Sequence, residues 1–182
     1  MTTPEAKISP VSGPVASAAV PKPSHSIRYL AVVIFFYVLD QLTKWLVVQH
    51  IELGSGIPVI PGFFDLVYLV NTGAAFSVFS NNNVFFIVLS SAVLIALGFF
   101  YKRGAFNGML LSTALSLLVS GILGNLTDRI LHNHVIDFLL FDLHVKFANP
   151  WPAFNVADSC ICVAAVLFAV ASFREDAKRK QP

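Results

Sequence analysis

Four runs of apolar residues, each about the length of a bilayer crossing, constrain this chain more than any other feature. They cover 28–48, 84–101, 108–126 and 156–173. At ~1.5 Å per helical residue the first spans about 30 Å, one hydrocarbon thickness. Soluble domains carry about a quarter charged residues; this chain carries 12%, with 56% hydrophobic. The expected fold is an all-α membrane protein, a four-transmembrane-helix bundle spanning 28–173. Residues 1–27 hold five prolines among Ser, Ala, Thr and Lys, without the apolar core of a signal peptide, and are expected to be a disordered cytoplasmic tail. Residues 174–182 are expected to be a basic cytoplasmic tail.

Basic residues set the expected orientation. Lys7, Lys22 and Arg28 precede the first span; Lys102 and Arg103 join the second to the third; Arg174, Lys178, Arg179 and Lys180 follow the fourth. The connectors 49–83 and 127–155 hold only Arg129 and Lys146, so both termini are expected in the cytoplasm and both long connectors outside. Tyr29 and Tyr101 suit the inner interface, Trp45 and Trp151 the outer one. Asp40, Glu52, Asp65, Asp128, Asp137, Asp142 and Asp158 all fall toward the outer side. Polar chemistry is therefore concentrated there.

The first outer connector reads "LGSGIPVIPGFFDLVYLVNTG". Its turn residues and β-rich runs predict a small extracytoplasmic β-rich cradle. In the third span Ser112, Ser116, Ser120 and Gly124 recur every fourth residue, a stripe that lets a neighbouring helix approach closely. Cys160 and Cys162 lie two apart on a helix and face different sides. No internal repeat supports a transporter built from duplicated halves. The net charge of +2, with no basic-aromatic patch, offers nothing to nucleic acid.

Two acids sit in apolar sequence: Asp137 in "VIDFLLF" and Asp158 in "FNVADSCICVAAV". Charge is costly there. Asp158 stands three residues after Asn155, the spacing of a capping box at the start of the fourth helix. That explains an acid in that turn but not the second one, which could instead be an interfacial group facing water. If both face one cleft, two close carboxyls cannot easily both ionise; one keeps a proton and becomes an acid while the other serves as base. The positive end of the fourth helix stabilises negative charge at Asp158, so the proton is expected more often on Asp137. Asn125, Asp128 and Arg129 in "GNLTDRI" and Asn71 in "NTGAAFS" gather on the same side. Their amides could hold a substrate backbone or orient a carboxyl, and Asp128 and Arg129 could equally be structural ion-pair members. Asp40 and Lys44, four apart on the first span, are expected to be a structural ion pair. His132, His134 and His144 show no metal-ligand spacing, so neither a metal nor a cofactor is expected.

Taken in order, "DQLTKW", "NTGAAFS", "GNLTDRI", "VIDF" and "PAFNVADS" resemble bacterial lipoprotein signal peptidase (signal peptidase II), an intramembrane aspartic peptidase family. The resemblance covers about 28–173; Thr127 departs from the apolar or aromatic residue common at its position. It implies that Asp137 and Asp158 are the catalytic pair, and that Asn71, Asn125, Asp128, Arg129 and Asn155 position the substrate. It also implies diacylglyceryl prolipoproteins as substrates, cut before the lipidated cysteine. Cyclic-peptide antibiotics are the implied inhibitors, and a bacterial inner membrane with the site at its outer face the implied location. A monomer in contact with membrane lipid is expected. The rival reading is a non-enzymatic ion-coupled carrier whose intramembrane acids bind protons or cations. A second rival is a purely structural bundle with capped helix ends.

Overall fold

A computed structural model describes residues 24–73, 82–144 and 151–179. The element order is α1 (Ser24–His50), β1 (Gly56–Ile60), β2 (Phe64–Asn71), α2 (Asn83–Lys102), α3 (Met109–His132), β3 (Val135–Phe141) and α4 (Val156–Arg179). All four helices are long and apolar enough to cross a membrane, over Ile27–His50, Asn83–Lys102, Met109–His132 and Val156–Arg174.

Helix boundaries differ from expectation wherever polar residues continue an apolar run. α3 extends past 126 to His132, because Asp128 and Arg129 are buried among partners instead of stopping the helix. It ends at Asn133, whose left-handed φ of 63° closes the helix with an N–H to the Arg129 carbonyl. α4 runs past the expected end of the span at 173 through Arg174 to Arg179, into the basic tail. Lys and Arg are good helix formers, and their charges suit a C-terminal turn. α1 starts at Ser24, inside the stretch assigned to the N-terminal tail; the rest of that tail lies outside the described residues. α2 follows "SNNN", a polar run whose side chains can cap a helix, and Asn82 Oδ1 accepts the Phe85 N–H at 3.3 Å.

α3 is the central helix: α1, α2 and α4 all pack on it. Its small-residue stripe faces inward, with Ser112, Ser116, Ser120 and Gly124 all buried. Gly121, off that stripe, makes the closest approach. A Cβ there would collide with the Ala157 carbonyl of α4 and come within 2.7 Å of Ile161 Cγ1. At Gly124 a Cβ would meet the Asp40 carboxylate and Ala157. Glycine at these two places brings three helices together at the polar end of the bundle. Cys160 is buried and Cys162 exposed, as helical spacing requires.

The three strands form an antiparallel sheet in the order β1-β2-β3. β3 pairs antiparallel with β2, setting Leu69 opposite Asp137 and Asn71 opposite Val135. Asn71 and Asp137 are thus diagonal neighbours on one face. The other side of β3 takes the chain leading into α4: Leu139 N–H donates to the Phe154 carbonyl at 2.8 Å, and Phe154 N–H returns to Leu139 at 3.0 Å. That pairing sets Asn155 and the first turn of α4 beside Asp137.

Candidate active site

The sheet-side ends of α1, α3 and α4 hold a buried ion cluster. Lys44 Nζ lies 2.8 Å from Asp40 Oδ2 and 2.8 Å from Asp128 Oδ2, with each side chain at most 2% exposed. Its third bond goes to Asn125 Oδ1 at 3.1 Å, so all three ammonium protons have acceptors. Asp40 Oδ1 accepts the Ala157 N–H at 2.8 Å, capping α4 from a different helix. Asp128 also accepts the Ile136 N–H at 3.2 Å and Gln41 Nε2 at 3.1 Å. The expected Asp40–Lys44 pair is present. Asp128, expected to position substrate, is occupied on both oxygens within this cluster and is not a wall of the cleft.

Asp137 and Asp158 have different surroundings. Asp137 is 3% exposed. Its Oδ2 accepts from Asn71 Nδ2 at 3.0 Å and its Oδ1 from Asn155 Nδ2 at 2.8 Å. Asp158 accepts from Asn125 Nδ2 at 2.7 Å and from the Asn155 N–H at 3.3 Å, while its own N–H donates to Asn155 Oδ1 at 2.9 Å. The last two bonds are a reciprocal capping box. Asp158 is therefore both a helix cap and a wall of the cleft; the two readings of it are compatible. Asn155, fully buried, touches both acids.

The amide orientations follow from donors that cannot be reversed. Lys44 can only donate, so Asn125 must turn its oxygen to Lys44 and its NH₂ to Asp158. The Asp158 backbone N–H holds the Asn155 oxygen, leaving its NH₂ for Asp137. The Gly73 N–H, 3.0 Å away, holds the Asn71 oxygen in the same way. Three asparagines are thus fixed with their NH₂ groups on the two carboxyls.

Among the described residues no cation contacts either acid. Burial pushes the Asp137 carboxyl up to about 7, and the neighbouring Asp158 charge adds to the rise. The amides of Asn71 and Asn155, with Lys44 further off, oppose it.

Both carboxyls line one open cavity of about 980 Å³. Asn71 to Gly73 form one side, 151–154 the other, and Ile161 to Val163 continue it down α4 into the apolar zone. Arg129 does not reach it: its guanidinium donates to the Gly73 carbonyl at 3.0 Å and lies 4.7 Å from the centre of the Phe86 ring. Of the residues expected around the pair, Asn71 lines the cleft, Asn125 and Asn155 hold the acids from behind, and Arg129 anchors the wall segment. Residues 74–77 of the "NTGAAFS" block, and Lys146, lie outside the described residues. Gln41 was missed; it bonds Asp40, Asp128 and the Gly124 carbonyl at 3.1–3.2 Å. Its signal was available, a second polar residue beside Asp40 in an apolar helix.

Comparison with known proteins bears on this geometry. A family model described as signal peptidase (SPase) II matches residues 32–174. The chain is similar to the lipoprotein signal peptidase of Geobacter sulfurreducens, 45% identical over 164 residues, covering 88% of this chain and 99% of the relative. It is 43% identical over 140 residues to that of Syntrophotalea carbinolica, covering 75% and 85%, and 36% identical over 154 residues to that of Bacillus subtilis, covering 84% and 97%. Two solved structures, each described as a bacterial membrane enzyme determined by the in meso method, share the fold. The first, at 2.3 Å resolution, has TM-score 0.80 and 29% identity, covering 87% of this chain and 94% of its own. The second, at 1.9 Å, has TM-score 0.72 and 31% identity, covering 81% and 93%.

Proposed function

The chain belongs to the signal peptidase II family, and from that premise we propose that it removes signal peptides from lipoprotein precursors by a water activated between Asp137 and Asp158. Membership makes it a peptidase, and the rival reading as an ion-coupled carrier falls. The observation that carries the mechanism is that both carboxyls open on one cleft with only neutral amides on their oxygens.

The cleft holds one proton between the pair in the resting state. A carboxyl with its midpoint near 7 supports Asp137 as its holder, and the first turn of α4 supports Asp158 as the anion. The pair titrates as a unit. Water attacks the scissile carbonyl carbon and passes a proton to Asp158, while Asp137 protonates the carbonyl oxygen. The resulting gem-diol collapses: Asp158 delivers its proton to the leaving nitrogen, the C–N bond breaks, and Asp137 recovers the hydroxyl proton. Asn125 and Asn155 keep each carboxyl's lone pairs turned to the reaction, and Asn71 can meet substrate from the cleft wall. Arg129 and Asp128 position substrate only indirectly, through Gly73 and through Lys44 and Asn125.

The apolar continuation along Ile161 and Val163 suits a signal helix and the lipid chains of a diacylglyceryl cysteine, and the family resemblance implies a cut just before that residue. A cyclic peptide able to fill the same cleft would inhibit, as expected of cyclic-peptide antibiotics. The distribution of Lys and Arg supports a multi-pass protein of the bacterial inner membrane, with both termini cytoplasmic and the cleft at the outer face. The test is gel mobility of a diacylglyceryl precursor incubated with wild type, Asp137→Asn and Asp158→Asn. Processing stops in both variants on this reading; a normal rate in either one refutes the two-acid mechanism.

A further inference from the structure

The end of the bundle opposite the acids contains a second opening that peptide hydrolysis leaves unused. α1 and α2 both pack on α3 but have hardly any contact with each other, and α2 buries none of its residues. Between them lies a crevice of about 310 Å³, with Leu30 and Val33 on one side, Leu94, Leu97 and Gly98 on the other, and α3 as its floor. It runs for about 10 Å along the helices, most of the way through one leaflet's hydrocarbon, itself about 15 Å deep.

The crevice opens into a wider mouth of about 610 Å³; Tyr29, Tyr101 and Ser112 line both. The mouth adds Arg28, Asn107 and Gly108, and no carboxylate among the described residues lines either space. Lys102 and Arg103 end α2 beside it. Arg28 has no acidic partner among the described residues. α3 starts here at Gly108 with no side-chain cap, so its first-turn N–H groups add to the positive field of Arg28. Hydrogen-bonding tyrosines and a cation stand over an apolar slot that faces the bilayer.

We propose that this is a binding site for one anionic phospholipid, its phosphate at Arg28 and the start of α3 and one acyl chain laid between α1 and α2. Charge complementarity selects a lipid of net negative headgroup, and an acyl chain fits the slot, which no described side chain fills. The chain would brace α2, whose main packing among the described elements is on α3. The site shares no lining residue with the catalytic cleft and lies at the end of α1 about 24 Å from Lys44. The proposal is therefore independent of the two-acid mechanism. On the orientation proposed above, it draws on the cytoplasmic leaflet.

Native mass spectrometry of the purified full chain in detergent tests this, with phosphatidylglycerol, phosphatidylethanolamine or inorganic phosphate added. One retained phosphatidylglycerol is expected. Arg28→Gln should lower its occupancy about fivefold, the worth of one basic charge at a lipid surface. Gly98→Leu should remove the adduct by filling the slot, since a Cβ there meets nothing within 4 Å. Precursor processing by both variants stays at the wild-type rate and reports that they are folded. Equal adducts in all three proteins, equal retention of phosphatidylethanolamine, displacement of the lipid by millimolar phosphate, or a protein dimer that Gly98→Leu abolishes would each overturn the proposal.

Discussion

Asp40 and Asp128 on one side of Asn125, and Asp137 and Asp158 on the other, are two carboxyl pairs placed in apolar surroundings with opposite outcomes. The first pair shares the Lys44 ammonium at 2.8 Å, and its remaining lone pairs take N–H donors from Gln41, Ala157 and Ile136. It is closed. Among the described residues the second pair receives only amide and backbone N–H groups and touches no cation, and it opens on the cleft. Burial alone therefore does not mark a working acid. What marks it is burial without a compensating charge, next to space a substrate can occupy. Asn125 joins the two, with its oxygen on Lys44 and its NH₂ on Asp158, so the closed pair orients the open one.

The contrast can be broken most directly at the open pair. Asp137→Asn or Asp158→Asn should lower kcat for precursor cleavage by roughly 10³-fold or more, with the melting temperature at pH 6 not reduced; a loss of folding instead would make these acids structural. At the closed pair the order reverses. Lys44→Met leaves two carboxylates buried around a missing cation and should cost about 3–5 kcal/mol, read as thermal unfolding in detergent. Unchanged melting with lost cleavage would mean that Lys44 belongs to the reaction instead.

A third effect separates the pairs by pH. An ordinary Asp titrates near 3.8, whereas folded Asp137 titrates near 7. Between those values the folded state holds a proton that the unfolded state has lost, so Asp137 makes stability fall as pH rises across that window and levels off above it. At about 1.4 kcal/mol per unit, the stability of Asp137→Asn relative to wild type should climb by a few kcal/mol from pH 4 to 7. The basic limb of kcat/KM should fall near pH 7; a flat profile from pH 6 to 9 would contradict the proton-holding role. The smallest effect concerns the helix contact beneath both pairs. Gly121→Ala drives a methyl into the Ala157 carbonyl and should cost about 1–3 kcal/mol, with cleavage reduced because α4 carries Asp158. Wild-type melting would show that the approach of α3 and α4 is looser than this packing requires.

Much of this was legible in the chain. The four spans could be read because membrane length is a property of consecutive residues. The Asn82 and Asn155 caps could be read because their partners lie three residues away. Asp137 and Asp158 stood out by their cost and again by the family blocks around them. The extent of α3 was not legible, since Asp128, Arg129 and His132 look like a helix end until their partners are known. Gly121 was hidden because its neighbour is the backbone of another helix. For Asp128 the sequence left ion-pair and substrate-positioning readings open for a similar reason: nothing near it in sequence announces Lys44.

By itself, then, the sequence determined what depends on neighbours along the chain: the spans, the caps, the gathering of polar groups toward one end of the bundle and the two acids set in apolar sequence. The tertiary structure alone decided which carboxyls are neutralised and which stay open. The cost of a buried charge is set by whatever stands within a few ångströms of it. Here those groups come from α1, α3, β2, β3 and α4, up to 117 positions apart, and only folding brings them together.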